Sequence, residues 1–474
     1  MEDFDMEKSG KLQNFIKAVL IILVAVLILL GLGKLLLLKS EDGISQLESI
    51  RKQEKDTVDV IFLGSSHVYC NIATGVIWDN YGISSFDLGG AEAPAWVSYY
   101  HLKEALKNQK PKLVCYETSV AALYPMLVQT TSWAADNNYG MSVSMDRYNQ
   151  LKVNSEEKDV YSRLFPLGIM HNRYAELDEN DFLDVNNSVN YKGFDPRERV
   201  YPIEDKVMPE TDEKVPCSEK AEEYIRKIID LCRENDIELM FFVSPYDEQE
   251  EELKMYNYIN SIADESGVVH IDFNEYAEDM GLDFGWDMHD YTHLNFFGNY
   301  KFSDYFGKII KENYDVADHR GDELYSSWDV DAYKQRIERN NNTLAYAQHE
   351  PSEFAKNVLN EGYYAFVNIS RGLGEGLDEN MSESLEIMGI PGDKQVSGSA
   401  YILKDGEIIS ENTGDYREAV REGSKSLLFT LEKEGDTPMN VSLFVNDDEY
   451  KEEYDNLLFV YDYVNGIFVD KVHF

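Results

Sequence analysis

Val58-Asp-Val-Ile-Phe-Leu-Gly-Ser-Ser-His67 is an apolar, β-type run that stops at a glycine followed by two serines. A run of this kind reads as a parallel strand handing over to a helix, and in open α/β sheets ligands sit beyond that carboxyl end. Ser66 is therefore a candidate nucleophile. Serines also gather at such turns merely to cap the following helix, so a partner elsewhere in the chain has to decide between the two readings.

Outward from this stretch, strand patterns recur at 84–90, 112–116, 237–243 and 268–272, with helical periodicity between several of them. Over 218–233, for example, Ala221, Tyr224, Ile225, Ile228 and Cys232 fall on one helical face. Strands alternating with helices predict a doubly wound, three-layer α/β fold with a parallel sheet over 58–317. The Asn- and Asp-rich piece 120–215 reads as an insertion over the strand ends, lining a cleft.

The partner for Ser66 lies in Trp286-Asp-Met-His-Asp290-Tyr-Thr-His293-Leu-Asn-Phe-Phe-Gly298, just ahead of an amphipathic helix. An acid three residues before a histidine, in a loop, holds one ring nitrogen while the other faces outward as a general base. Alone, the pair is equally a capping acid beside a surface histidine. Together with Ser66 it specifies a Ser66–His293–Asp290 triad.

The N-terminus is of a different kind. Residues 15–38 are apolar apart from Lys17 and Lys34, 24 residues or roughly 36 Å of helix, which is enough to cross a bilayer. The competing reading is a cleaved signal peptide, with Gly31-Leu-Gly33 imitating a cleavage site; the four leucines at 35–38 argue against it. Lysines flank both sides, so charge does not orient the span. It is expected to follow a short tail, 1–14, and to lead through a polar connector, 40–57, into the α/β domain.

The 474 residues carry 88 acids against 44 lysines and arginines, a net charge of −44, which excludes nucleic acid as an expected partner and disfavours a polyanionic substrate. Four cysteines in a chain of this size make no disulfide framework. No metal site and no cofactor is expected.

With Gly64-Ser-Ser66 after the first strand and Asp290-Tyr-Thr-His293-Leu-Asn before the last helix, residues 55–315 resemble the SGNH/GDSL hydrolase superfamily. The resemblance implies a flavodoxin-like sheet, Ser66 as nucleophile, His293 as general base and Asp290 as its orienting acid. It also implies an oxyanion hole built from the Ser66 amide and an amide of the 90–92 loop, Gly90 or Glu92. Two features depart from the pattern. The family's glycine falls on Glu92, and the segment after Tyr116 reads Glu117-Thr-Ser with no asparagine. The same departures resemble membrane-anchored SGNH-like proteins of cell-surface polymer modification, including the D-alanine transfer protein of teichoic acids and alginate O-acetylation proteins. That implies an extracytoplasmic esterase or O-acyltransferase acting on acyl esters of a cell-surface polysaccharide, with envelope assembly partners; the alternative is a catalytically inactive SGNH scaffold that binds glycan or partners. His67, His171 and Arg173 are candidate substrate-binding residues.

Beyond a polar linker, 318–354, strand patterns at 363–369, 400–403, 408–410, 426–431, 441–445, 457–461 and 467–472, with hairpin turns at Asp405-Gly406 and Asn465-Gly466, predict a mainly-β domain over 355–474 with one short helix at 382–388. Its Tyr-Ala-Phe-Val-Asn-Ile-Ser and Leu-Phe-Val-Tyr-Asp segments resemble the interleukin-like EMT inducer (stem-type) domain, which implies carbohydrate or partner binding.

Overall fold

The five apolar runs of the first domain pair into one parallel sheet. The computed structural model describes residues 2–37, 43–123, 131–155, 159–164, 166–177, 181–182, 191–204, 206–346, 351–423, 425–434, 436–446 and 448–473. In it β1 (Val60–Gly64), β2 (Ser85–Gly89), β3 (Leu113–Glu117), β4 (Glu238–Val243) and β5 (Val269–Asp272) lie in the order β2-β1-β3-β4-β5. The three strands β1 to β3 are buried at every residue, which is why they read as continuous apolar runs rather than alternating ones. The strand order reverses between β1 and β3, so a crevice opens at their carboxyl ends, where Ser66 follows β1 and Ser119 follows β3.

The N-terminal helix α1 runs unbroken from Glu2 to Leu36. Its stretch Asn14–Leu36 is long and apolar enough to cross a membrane, its most apolar 18 residues having a mean hydropathy of 3.1 and none of them buried, a test that a signal sequence also passes. The expected tail is thus part of the helix. The expected connector also folds: α2 (Ile44–Lys52) buries Ile44, Leu47 and Ile50 at helical spacing, and Leu47 and Ile50 join the main core. Residues 38–42 lie outside the described residues.

Around the sheet, α3 (Ser66–Tyr69), α4 (Thr74–Tyr81) and α5 (Ala95–Ala105) follow the first two strands. The insertion contributes α6 (Ser119–Leu123), α7 (Thr131–Tyr139), α8 (Met145–Val153), α9 (Pro166–Met170) and a 3-10 turn, His171–Ala175. Its segments 124–130, 156–158, 165, 178–180, 183–190 and 205 lie outside the described residues. The helix Glu219–Glu234 begins where its periodicity predicts, with Ser218 as cap. All four cysteines are buried and free.

The chain divides into two compact units, Met1–Ala332 and Tyr333–Phe474. The division falls within the helix Ser326–Tyr346, inside the expected linker. That segment looks polar because it buries only a sparse stripe, Trp328 and Ala332 in the first unit and Ile337 and Leu344 in the second. The second unit has three layers. A central antiparallel sheet, β14-β13-β6-β7-β8, is covered by helices on one face and by a second sheet, β12-β11-β10-β9, on the other. Here β6 is Tyr363–Ile369, β7 Ser399–Lys404, β8 Glu407–Thr413, β9 Arg417–Glu422, β10 Lys425–Glu434, β11 Thr437–Val445, β12 Asp448–Glu453, β13 Leu457–Asp462 and β14 Ile467–His473. Burial on both faces makes β6 and β13 predominantly apolar, with Asn368 and Asp462 as their buried polar exceptions. Asp405 and Gly406 both take positive φ, as the β7–β8 hairpin turn requires.

One residue of the sheet strains this packing. Asp87 in β2 is fully buried, and neither carboxylate oxygen has a hydrogen-bond partner among the described residues. Burial pushes its carboxyl well above the ordinary 3.8. The folded state therefore binds a proton that the unfolded chain releases, and stability is lost as pH rises above about 4 toward the folded pKa. Asp87→Asn is expected to raise the Tm at pH 8 and leave it nearly unchanged at pH 4; equal shifts at both pH values in thermal melts would contradict this.

Candidate active site

From Thr57 to Trp78 every residue is buried except Ser66. The turn that exposes it needs Gly64, because a Cβ there would lie 2.8 Å from Glu117 Cβ and 3.0 Å from Val68 Cγ2. Ser65 Oγ accepts the His67 N–H at 3.3 Å and caps α3. Ser66 Oγ instead lies 2.8 Å from His293 Nε2. The two serines part here, one capping the helix and one facing a histidine nitrogen.

The loop that carries the base is closed on itself. Asp290 Oδ1 accepts the Thr292 N–H (2.8 Å), the Thr292 hydroxyl (2.9 Å) and the His293 N–H (2.9 Å). Its two oxygens stand 3.1 and 3.0 Å from His293 Nδ1. Asn295 then caps the helix Phe296–Asn313 through the Phe297 and Gly298 amides and donates back to the Trp286 and Met288 carbonyls. An ionised carboxylate only accepts, so His293 Nδ1 carries the proton and Nε2 accepts from the Ser66 hydroxyl. Burial raises the Asp290 carboxyl, but the hydrogen bond and charge of His293 and the Thr292 donors outweigh it and hold the group well below the usual carboxylate range. Burial also lowers His293 from its ordinary 6.5, and the Asp290 hydrogen bond offsets this only in part.

The residues expected to build the oxyanion hole fare unequally. Ser66, first residue of α3, has an amide with no acceptor among the described residues, as expected at a helix start. Gly90 does not serve: its N–H donates to the Gly64 carbonyl at 3.2 Å, which ties the two loops together. Glu92 adopts φ +42°, the left-handed conformation a glycine takes freely, and burial raises its carboxyl. In place of the missing asparagine after Tyr116, Glu117 is buried, with its carboxylate accepting the Ser119 N–H (3.2 Å) and the Ser65 hydroxyl (3.5 Å).

The three candidate substrate contacts are placed elsewhere. His67 is buried, its Nδ1 3.1 Å from Ser119 Oγ and 3.6 Å from the Glu117 carboxylate, with its ring packed between Tyr246 and the edge of His293. It packs against His293 and does not face solvent. His171 and Arg173 lie in the 3-10 turn at the end of α1, where Arg173 donates to the Leu35 and Leu37 carbonyls and pairs with Asp181 at 2.7 Å.

Sequence reasoning missed the residues that join distant segments. Buried Asn71 donates to Ser244 Oγ at 2.8 Å and accepts the Leu294 N–H at 2.9 Å, fixing the His293 loop against the ends of β1 and β4. Asn137 of α7 donates to the Ala91 carbonyl at 2.7 Å, so an asparagine does reach the 90–92 loop, from the insertion. The insertion's extended tail straps the base loop, with Tyr201 and Ile203 amides on the Met288 and Phe284 carbonyls. Tyr201 and Tyr291 meet edge to face, hydroxyls 2.6 Å apart, with Arg199 over Tyr201. Only the aromatic-rich composition of the two stretches hinted at this wall. No model of a known protein family matches the chain, and no curated protein matches it.

Two outcomes follow from these groups. With His293 read as a general base, which must be unprotonated to act, labelling of Ser66 by an acylating probe is expected to rise with pH and reach half its plateau below pH 6.5; a half-point at or above 6.5 would contradict the lowered His293 pKa. Glu92→Gly releases a left-handed backbone worth about 1–2 kcal/mol of strain and removes a carboxylate from the loop. It is expected to speed Ser66 acylation several-fold, and an unchanged or slower rate would show that Glu92 does not disfavour a developing oxyanion.

Proposed function

We propose that the chain is a membrane-anchored, extracytoplasmic serine esterase or O-acyltransferase of SGNH type, acting on acyl esters of a cell-surface polysaccharide. The observation that carries this reading is Ser66 Oγ at 2.8 Å from His293 Nε2, with Asp290 fixed behind the ring. Ser66 Oγ attacks the acyl carbonyl as His293 Nε2 takes its proton; the carbonyl oxygen gains the negative charge beside the Ser66 amide. His293 then gives the proton to the departing alkoxide, leaving an acyl-serine. Water or a sugar hydroxyl attacks this ester as His293 takes its proton; the acyl group leaves with the new acceptor as acid or ester, and His293 returns the proton to Ser66 Oγ, restoring the serine.

A sugar substrate fits the neighbouring wall. Tyr291, between the acid and the base in sequence, is 57% exposed and shares its hydroxyl with Tyr201, a platform suited to stacking on a neutral pyranose. The net charge of −44 likewise favours a neutral or cationic substrate. The antiparallel unit 333–474 is read as a carbohydrate- or partner-binding module.

A second reading, a scaffold without turnover, is favoured by the Gly90 amide, which is spent on Gly64. A fluorophosphonate probe on the full chain in detergent separates the two. Labelling is expected on Ser66, lost in Ser66→Ala and slowed by about 10³-fold or more in His293→Ala. No labelling of the intact chain leaves the scaffold. Tyr291→Ala is expected to raise KM for an acylated oligosaccharide while leaving kcat for a small aryl ester unchanged.

A further inference from the structure

The end of the membrane-spanning helix is not simply surrounded by solvent or lipid. The insertion packs on it, and between Val26–Leu37 at the end of α1 and the α7–α9 region lies an open cavity of about 1090 Å³. Its walls are apolar: Leu29 and Leu30 on one side, Leu164 and Leu167 on the other. Eleven residues of helix rise make it roughly 16 Å long, close to the depth of one leaflet of a hydrocarbon core about 30 Å thick.

One group in this cavity does not belong to an apolar wall. Arg147 of α8 lines it, half-buried, with its Nε donating to Asn138 Oδ1 at 3.1 Å and its guanidinium over the Tyr139 ring. No acid pairs with it among the described residues, and burial lowers its pKa. A partly desolvated guanidinium without an anion is costly, and its remaining N–H groups form a fork suited to a phosphate. Around it, Val143, Met145 and Tyr161 are 91%, 68% and 79% exposed, apolar groups that a water-facing surface does not need but a bilayer surface accommodates.

Resting on the reading of α1 as a membrane span, we propose that this cavity binds one anionic glycerophospholipid from the adjoining leaflet, an acyl chain between α1 and α9 and the phosphate on Arg147. Charge complementarity selects the acidic headgroup locally, although the chain as a whole is strongly negative, because the buried pair is screened far less than the dispersed surface charges. The bound lipid fixes the height of the insertion on the membrane.

The test uses the full chain in phosphatidylcholine nanodiscs doped with photoactivatable phosphatidylglycerol or, separately, photoactivatable phosphatidylcholine, with crosslinks mapped by mass spectrometry. Crosslinks to Leu29, Leu30, Leu164 and Leu167 should be severalfold richer with phosphatidylglycerol, because both lipids offer Arg147 a phosphate but the choline cation of phosphatidylcholine cancels its charge. Arg147→Gln should abolish the preference and Arg147→Lys should keep part of it, while Leu167→Trp, which narrows the cavity between α1 and α9, should weaken crosslinks from both lipids. Equal labelling by the two lipids, or a preference untouched in Arg147→Gln, overturns the proposal. So does loss of the preference to millimolar inorganic phosphate, which would leave a phosphate site with no lipid chain. The readout does not involve Ser66, so it stands or falls independently of turnover.

Discussion

Asn71 is the side chain on which the site depends. It is fully buried, and its single amide joins three segments that the sequence keeps apart: the α3 end after β1, Ser244 at the end of β4, and Leu294 in the base loop. Parallel sheets bring strand ends together but leave the loops beyond them free to drift. A buried amide with both its donor and its acceptor engaged removes that freedom, since breaking either bond leaves an unsatisfied polar group at a cost of about 1–3 kcal/mol. The 2.8 Å approach of Ser66 to His293 follows from this tie and from the Asp290 and Asn295 bonds that stiffen the loop from within.

The sheet was readable because burial on both faces leaves no alternation to confuse: all five strands were expected close to where they occur. What stayed hidden was structure whose apolar content is thin. α2 carries only three apolar core residues among polar ones, and Ser326–Tyr346 looks like a linker because its few buried residues serve two units in turn. The strands β9, Arg-Glu-Ala-Val-Arg-Glu, and β12, Asp-Glu-Tyr-Lys-Glu-Glu, were passed over for the same reason. They are the two edges of their sheet, and charge on an edge discourages pairing with another chain.

At the site, the local pattern was legible and the long-range one was not. Asp290 and His293 form a pair that is complete within four residues, and Ser66 sits at the one position in its stretch that has to be exposed. His67 was misplaced because adjacency to a nucleophile says nothing about which way a side chain turns at the start of a helix; here it turns inward onto Ser119 and Glu117. Gly90 was misassigned because a glycine amide looks available in sequence, whereas in the fold it is the bond that docks the second loop onto the first. Asn71, Asn137 and Tyr201 act only through partners far away in the chain, and no spacing announces them.

The end of the apolar helix α1 and the Ser66 site are linked by the same insertion. α7 sends Asn137 to the Ala91 carbonyl, while its neighbour Asn138 anchors Arg147 and Tyr139 reaches the Arg163 carbonyl beside the cavity on α1. Consecutive residues of one helix thus face the 90–92 loop and the cavity beside α1. This continuity is physical contact, not proof of coupling; coupling would require two arrangements of α7 with different preferences at each end. What it does fix is geometry. Asn137 holds the 90–92 loop while Ala135 and Tyr139 of the same helix pack on Leu37 at the end of α1, so one helix braces the loop beside Ser66 against the N-terminal helix.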